Sequence, residues 1–163
     1  MKSRKLRAGV IGGSNPSQEM LNIAYEVGKL LALKGFVIVC GGLGGVMEAV
    51  CKGAKDEDGV TIGILPTRDL RDANPYVDIP IATGLGEARN LLVVLNSDAI
   101  IAIDGAYGTL SEIAYALLYE KPVIGIKSWE LFKKGKREKN IIYVDTPQEA
   151  VEKLLQVLKL RND

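Results

Sequence analysis

Histidine is absent from the 163 residues. With it go Ser-His-Asp and Cys-His nucleophilic systems, imidazole general bases and every histidine-ligated metal site. Cysteine occurs twice, as Cys40 and Cys51, too few for an all-cysteine zinc site and no disulfide framework. Both read as buried, reduced thiols. No metal site is therefore expected. No apolar run reaches the ~18–20 residues of a membrane span. The N-terminus is basic (Lys2, Arg4, Lys5, Arg7), but Gly12-Gly13 interrupts the apolar stretch behind it too early for a signal peptide. A cytoplasmic protein without membrane association is expected. Neither sign of charge dominates: 21 Lys and Arg against 20 Asp and Glu leave +1, which argues against a nucleic-acid partner.

What remains is an ordinary globular composition, 47% hydrophobic and 25% charged, in a chain long enough for one domain spanning 1–163. Glycine is the excess. Eighteen residues make about 11% of the chain, against a usual ~7%, and they are clustered.

The pattern alternates strand and helix. Apolar runs at 6–11, 36–40, 60–65, 99–103, 123–126 and 141–144 read as strands, with a short edge strand at 77–81 because Pro80 cannot donate to a ladder. Helices are expected from Pro16 to about Lys34, with Asn15 as cap and Gly35 as terminator, and then over 46–55, 87–96, 109–120 and 147–160. Thr146-Pro147-Gln148-Glu149 is a capping box with proline in first helical position. Residues 66–76 read as a loop. The basic run 128–139, with Lys133, Lys134, Lys136, Arg137 and Lys139, reads as an irregular solvated segment. Continuous apolar strands alternating with helices indicate a sheet buried on both faces. The expected fold is a three-layer α/β/α, Rossmann-like domain with a mainly parallel sheet of about six or seven strands.

The glycine clusters at 12–14, 41–45, 84–86 and 104–108 each follow a strand and precede a helix. In a parallel sheet all such turns fall on one edge, where open α/β sheets bind ligands. Helix N-termini there offer unpaired N–H groups and partial positive charge, and glycine lets a phosphate approach the backbone. A phosphorylated small molecule is the expected ligand. Neither G-x-G-x-x-G with its distal acid nor G-x-x-x-x-G-K-[ST] is present, which disfavours dinucleotide dehydrogenases and P-loop NTPases.

Few side chains near that edge carry chemistry. Arg89 opens a helix, where a cation is unfavourable without an anionic ligand. Glu112 reads either as a functional carboxylate or as the far end of a Thr109–Glu112 capping box. Asp104 and Glu87 are further carboxylates on the edge, and Glu48 reads as a solvated helix residue. Asn15 and Asn90 are candidate donors to phosphate or sugar, Asn15 more simply a cap. Tyr107 is placed to line the mouth of a site. Leu91–Leu95 and Ala114–Leu118 are apolar on nearly every side, which points to a homodimer or higher homo-oligomer.

Gly41-Gly42-Leu43-Gly44-Gly45-Val46-Met47 resembles the Gly-Gly-x-x-G-x-M segment of the LOG ("lonely guy") family. Asp104-Gly105-Ala106-Tyr107-Gly108-Thr109-Leu110-Ser111-Glu112 is similar to its P-G-G-x-G-T-x-x-E motif, and Glu87-Ala88-Arg89-Asn90 matches its arginine-containing helix start. The resemblance covers about residues 6–158. It implies a Rossmann-like fold, a dimer, and cleavage of the N-glycosidic bond of nucleoside 5′-monophosphates, with Arg89 and Glu112 as the catalytic pair. It also implies that Gly105, Gly108 and Thr109 hold the phosphate with Gly41, Gly42, Gly44 and Gly45 nearby and no further cofactor required; the glycine-edge reading adds Gly12, Gly13, Ser14, Asn90, Ala106 and Tyr107 to the ligand site. Three departures stand out: Asp104 replaces the motif's proline, Ala106 its second glycine, and Asn90 the lysine after the arginine. These make the chain resemble the branch containing molybdenum cofactor carrier proteins, which implies the alternative of a non-catalytic carrier for a nucleotide-like phosphorylated cofactor. Some relatives carry the label lysine decarboxylase. That chemistry needs a Schiff-base lysine, and the glycine turns contain none.

Overall fold

The structure is a computed structural model that describes residues 4–162; Lys2 of the basic N-terminus lies outside them. Its strands are β1 (Arg7–Gly12), β2 (Val37–Cys40), β3 (Val60–Leu65), β4 (Ile79–Ala82), β5 (Ala99–Ile103), β6 (Val123–Ile126), β7 (Phe132–Lys133), β8 (Lys136–Arg137) and β9 (Ile141–Val144). The helices are α1 (Gln18–Leu33), α2 (Val46–Lys55), α3 (Asn90–Leu95), α4 (Tyr107–Leu118) and α5 (Pro147–Asn162). Seven strands pair in the order β4-β3-β2-β1-β5-β6-β9, all parallel. This is the expected α/β architecture.

The chain moves outward from β1 to β4 and then returns to place β5 on the other side of β1. That reversal opens a crevice at the carboxyl ends of β1 and β5, the position where such sheets take ligands. Helices α1, α2 and α5 cover one face over a core of Val27, Leu31, Val50, Ile101 and Leu154. Helices α3 and α4 cover the other, over Val39, Ile64, Val93, Ile100 and Ile113. Strands β2, β5 and β6 are buried at every residue, as their unbroken apolar sequences require.

Several element boundaries differ from the sequence expectation. Helix α1 is capped by Ser17, whose Oγ accepts from the Met20 N–H at 3.3 Å, not by Asn15; Pro16 stands outside the helix. Helix α4 begins at Tyr107 with Ala106 as cap, two residues before Thr109. The turn releases the chain early because Asp104 (φ 52°) and Gly105 (φ 111°) both take left-handed backbone. The helix expected over 87–96 is a 3₁₀ turn, Gly86–Arg89, followed by α3. The edge strand lies at Ile79–Ala82, since Asp78 is held in a turn on Thr61. The basic run contains a hairpin, β7–β8, turned by Lys134 (φ 51°) and Gly135 (φ 76°), two positive-φ residues as a two-residue hairpin demands.

Helices α1 and α2 touch backbone to backbone. A Cβ on Gly28 would stand 2.1 Å from the Val50 carbonyl oxygen, and one on Gly53 1.9 Å from that of Tyr25. Replacing Gly53 with alanine is therefore expected to force the helices apart and cost about 1–3 kcal/mol, read as a lowered urea midpoint at unchanged slope.

Candidate functional site

Three of the four glycine clusters meet. Gly45, the cap of α2, has φ 66° and ψ −131°, a conformation that only glycine adopts without strain. A Cβ there would stand 2.4 Å from the Gly13 carbonyl oxygen. That carbonyl accepts from the Val46 N–H at 3.0 Å. Gly13 in turn faces Gly105: a Cβ on Gly13 would lie 3.7 Å from the Gly105 Cα. Gly12 closes the floor, where a Cβ would meet the Ile103 carbonyl oxygen at 2.4 Å. The turns after β1, β2 and β5 thus converge on one backbone-lined rim, with Ser14 exposed beside it and Gly44 facing open space.

The cluster at 84–86 stands apart. Gly84 and Gly86 donate to the carbonyls of Thr67 and Pro66, in the loop after β3. Its contribution is to deliver Arg89, which is only 8% exposed. The guanidinium donates through Nε to the Ile64 carbonyl at 2.8 Å and through Nη2 to the Gly41 carbonyl at 3.3 Å. Its Nη1 donates to Asn90 Oδ1. The Asn90 amide continues the chain of contacts, donating to Ser111 Oγ at 3.0 Å and the Gly108 carbonyl at 3.4 Å. A Cβ on Gly41 would collide with Arg89 Nη2 at 2.5 Å, so glycine at that position makes room for the guanidinium. Arg89 and Asn90 tie the ends of β2 and β3 to the start of α4.

Glu112 is 7% exposed. It lies in the second turn of α4, so the Thr109–Glu112 capping box does not form. Burial pushes its carboxyl up to about 8, against the opposing pull of the Arg89 guanidinium. Burial likewise lowers the proton affinity of Arg89, and Glu112 opposes that shift. The two groups therefore share one poorly hydrated region beneath the rim.

Helix α4 supplies the rim's electrostatics. Its first N–H groups, at Tyr107, Gly108 and Thr109, have no acceptor within the helix, and the helix dipole adds positive potential there. Gly105 packs on Thr109, where a Cβ would stand 2.4 Å from the threonine Cβ. Ala106 is exposed. Tyr107 is 79% exposed, its ring tilted against that of Trp129 with centroids 5.8 Å apart. Trp129 Nε1 donates to the Ala106 carbonyl at 3.0 Å, and Ser128 Oγ donates to that of Asp104 at 2.6 Å. Both brace the turn from the β6–β7 connection. They went unrecognised in the sequence, although Trp129 is the only tryptophan.

Cys40 and Cys51 are free and buried, with their sulfurs 3.5 Å apart. The neighbouring Cys40 sulfur, reinforced by burial, pushes the Cys51 thiol up and holds it protonated. Among the described residues, no group of three or more His, Cys, Asp or Glu is placed to hold a metal ion.

The profile of the SLOG cluster4 family matches residues 5–151. An uncharacterized protein of Archaeoglobus fulgidus is 47% identical over 147 residues, 90% of this chain and 92% of its own. A cytokinin riboside 5′-monophosphate phosphoribohydrolase of Mycobacterium tuberculosis is 33% identical over 126 residues, which is 70% of this chain and 66% of that relative's length. Among solved structures, the molybdenum cofactor binding protein of Rippkaea orientalis superposes with a TM-score of 0.86 at 38% identity, covering 95% of this chain and 98% of its own.

The Glu112 shift has a consequence for stability. Between about pH 4.5 and 8 the folded chain holds a proton on Glu112 that the unfolded chain releases, so stability falls as pH rises through that window. Glu112→Gln removes this term. Its melting temperature is expected to match wild type near pH 4.5 and exceed it increasingly up to pH 9. The gain is bounded at about 5 kcal/mol by the size of the shift, and thermal melts across pH read it directly.

Proposed function

Because the chain belongs to the SLOG cluster4 family, we propose that it binds a nucleotide-like, phosphorylated small molecule at the glycine rim and holds it without cleaving it. The phosphate sits at the N-terminus of α4, against the amides of Gly105–Thr109, with Gly13 and Gly45 closing the opposite side. Backbone donors pre-set in this way lose little entropy on binding, and the helix dipole favours the dianion.

One observation carries the choice of holding over cleaving. Resemblance to the LOG family makes Arg89 and Glu112 the pair that breaks the glycosidic bond. Here the Arg89 guanidinium is engaged by two main-chain carbonyls and Asn90, and Glu112 is almost fully buried. Arg89 acts as bracing beneath the rim, and Glu112 is shut off from solvent beside it. The near full-length match to a protein named for binding the molybdenum cofactor supports a carrier of a phosphorylated cofactor of that kind, working in the cytoplasm.

A second reading, a nucleoside 5′-monophosphate phosphoribohydrolase, is favoured by the same pair. A protonated Glu112 is chemically able to hand a proton to a departing base, and as a carboxylate to steady oxocarbenium-like charge. Isothermal titration with AMP and GMP, coupled to chromatography for free base, separates the two. The carrier reading expects binding without base release, affinity within two-fold of wild type in Glu112→Gln, and at least ten-fold weaker binding in Gly105→Ala. Base release abolished by Glu112→Gln overturns it in favour of the hydrolase.

The α3–α4 face is proposed as a homodimer interface. Leu95, Leu118 and Tyr119 are 44%, 69% and 46% exposed there, an apolar surface of the kind a two-fold partner covers. Light scattering at micromolar concentration is expected to give a dimer, and Leu118→Glu a monomer of unchanged circular dichroism.

A further inference from the structure

The chain's two cysteines stand side by side although they are 11 positions apart in sequence. Cys40 is the last residue of β2, and Cys51 lies in the second turn of α2. Both are shielded from solvent, and their sulfurs are 3.5 Å apart. The stretch between them contains the whole 41–45 glycine turn. The Gly41 carbonyl receives Arg89, Gly45 caps α2, and the Val46 N–H donates to the Gly13 carbonyl. The pair therefore brackets the part of the rim that β2 and α2 contribute. The two thiols are not alike. Cys40 Sγ accepts from the Gly42 N–H at 3.4 Å. Hydrogen bonding with Cys51, helped by that N–H and by the Arg89 charge, pulls the Cys40 thiol down against its burial, whereas Cys51 keeps its proton. One sulfur inclined to thiolate beside a protonated partner is the arrangement that dithiol oxidation uses.

We propose that Cys40 and Cys51 form a reversible intramolecular disulfide, a modification site that closes the 41–45 glycine turn into a covalent ring and ties α2 to β2. The oxidant is hydrogen peroxide, small enough to enter a core that opens only locally. The Cys40 thiolate attacks one peroxide oxygen, the O–O bond breaks and hydroxide leaves, which takes up the proton that Cys40 has shed. Cys40 is now a sulfenic acid. The Cys51 sulfur attacks the sulfenic sulfur and passes its proton to the departing oxygen; the S–S bond forms, the S–O bond breaks and water leaves. Two thiols and one hydrogen peroxide thus give one disulfide and two waters. Bonded sulfurs stand about 2.0 Å apart, so closure from 3.5 Å draws α2 toward β2. Thiol–disulfide exchange with a dithiol reverses the step. In a reducing compartment such a bond is transient and redox-sensing.

The test exposes the folded full chain to hydrogen peroxide, then unfolds it in iodoacetamide and reads intact mass and peptide maps without reductant. The expected result is a mass loss of about 2 Da without alkylation, a linked Cys40–Cys51 peptide, and alkylation of both cysteines once dithiothreitol has been added. The oxidised chain is expected to melt about 5 °C or more above the reduced one, because the bond closes a short loop in the unfolded state. Cys51→Ala removes the linked peptide and the gain in melting temperature, and leaves Cys40 as a sulfenic acid that dimedone labels. Two alkylated cysteines after peroxide, linkage that occurs only when urea has unfolded the chain, or sulfinic acid without linkage overturns the proposal. A linked chain that melts no higher than the reduced one overturns the tie between α2 and β2.

Discussion

The backbone of Gly45 lies against that of Gly13 and Ser14, and Gly13 faces Gly105. Side chains at these places would hold the turns after β1, β2 and β5 apart. Without them the chain brings three helix-preceding turns to one point, at the reversal of strand order between β1 and β5. The position is costly in conformational entropy, since glycine loses the most freedom on folding. The return is a surface of amides with no side chain between them and a ligand. Positive potential from α4 then needs no lysine or arginine at the rim, which suits a chain whose charges nearly cancel.

Arg89 has the complementary task below that surface. The carbonyls of Ile64 and Gly41 lie at strand ends, where the ladder no longer supplies donors to every group, and the guanidinium serves both. Buried acceptors left without a donor would cost about 1–3 kcal/mol each. Through Asn90 the same side chain reaches Gly108 and Ser111 on α4. The helix that opens on the rim is therefore fixed to the two strands on the far side of β1. Glu112 contributes the opposing term: burial outweighs attraction to Arg89, and the carboxyl keeps its proton near neutrality.

The strands of the large sheet were legible as short apolar runs, those of β1, β2 and β5 running directly into glycine turns, and buried parallel strands allow little else. The convergence of three glycine turns followed from the same punctuation; Arg89 and Glu112 stood out through their motifs, and the structure buries both beneath those turns. Helix starts were less legible. Asn15-Pro16 and Thr109–Glu112 both carry cap signals, but the true starts depend on how the preceding turn releases the chain: Ser17 after Pro16, and Ala106 after a left-handed Asp104-Gly105. Local signals do not encode that geometry. Trp129 braces Ala106 from 23 residues away, beyond any window of local pattern. The contact of α1 with α2 was hidden for a related reason. Gly28 and Gly53 each look like a weak point inside a helix, and only their pairing with Val50 and Tyr25 reveals close-packed backbones.

The two faces of the sheet give the site its chemical character. Glu112 belongs to α4, on the face with α3, whereas a groove lies between α1 and α2 on the other. The rim lies between these two faces. Beneath the rim Glu112 is buried beside Arg89, whereas beyond Ser14 an open cleft carries Glu48 and Lys52. The same rim thus borders a closed, acid-bearing side and an open, polar one, and the glycine contact of α1 with α2 lies on the open side.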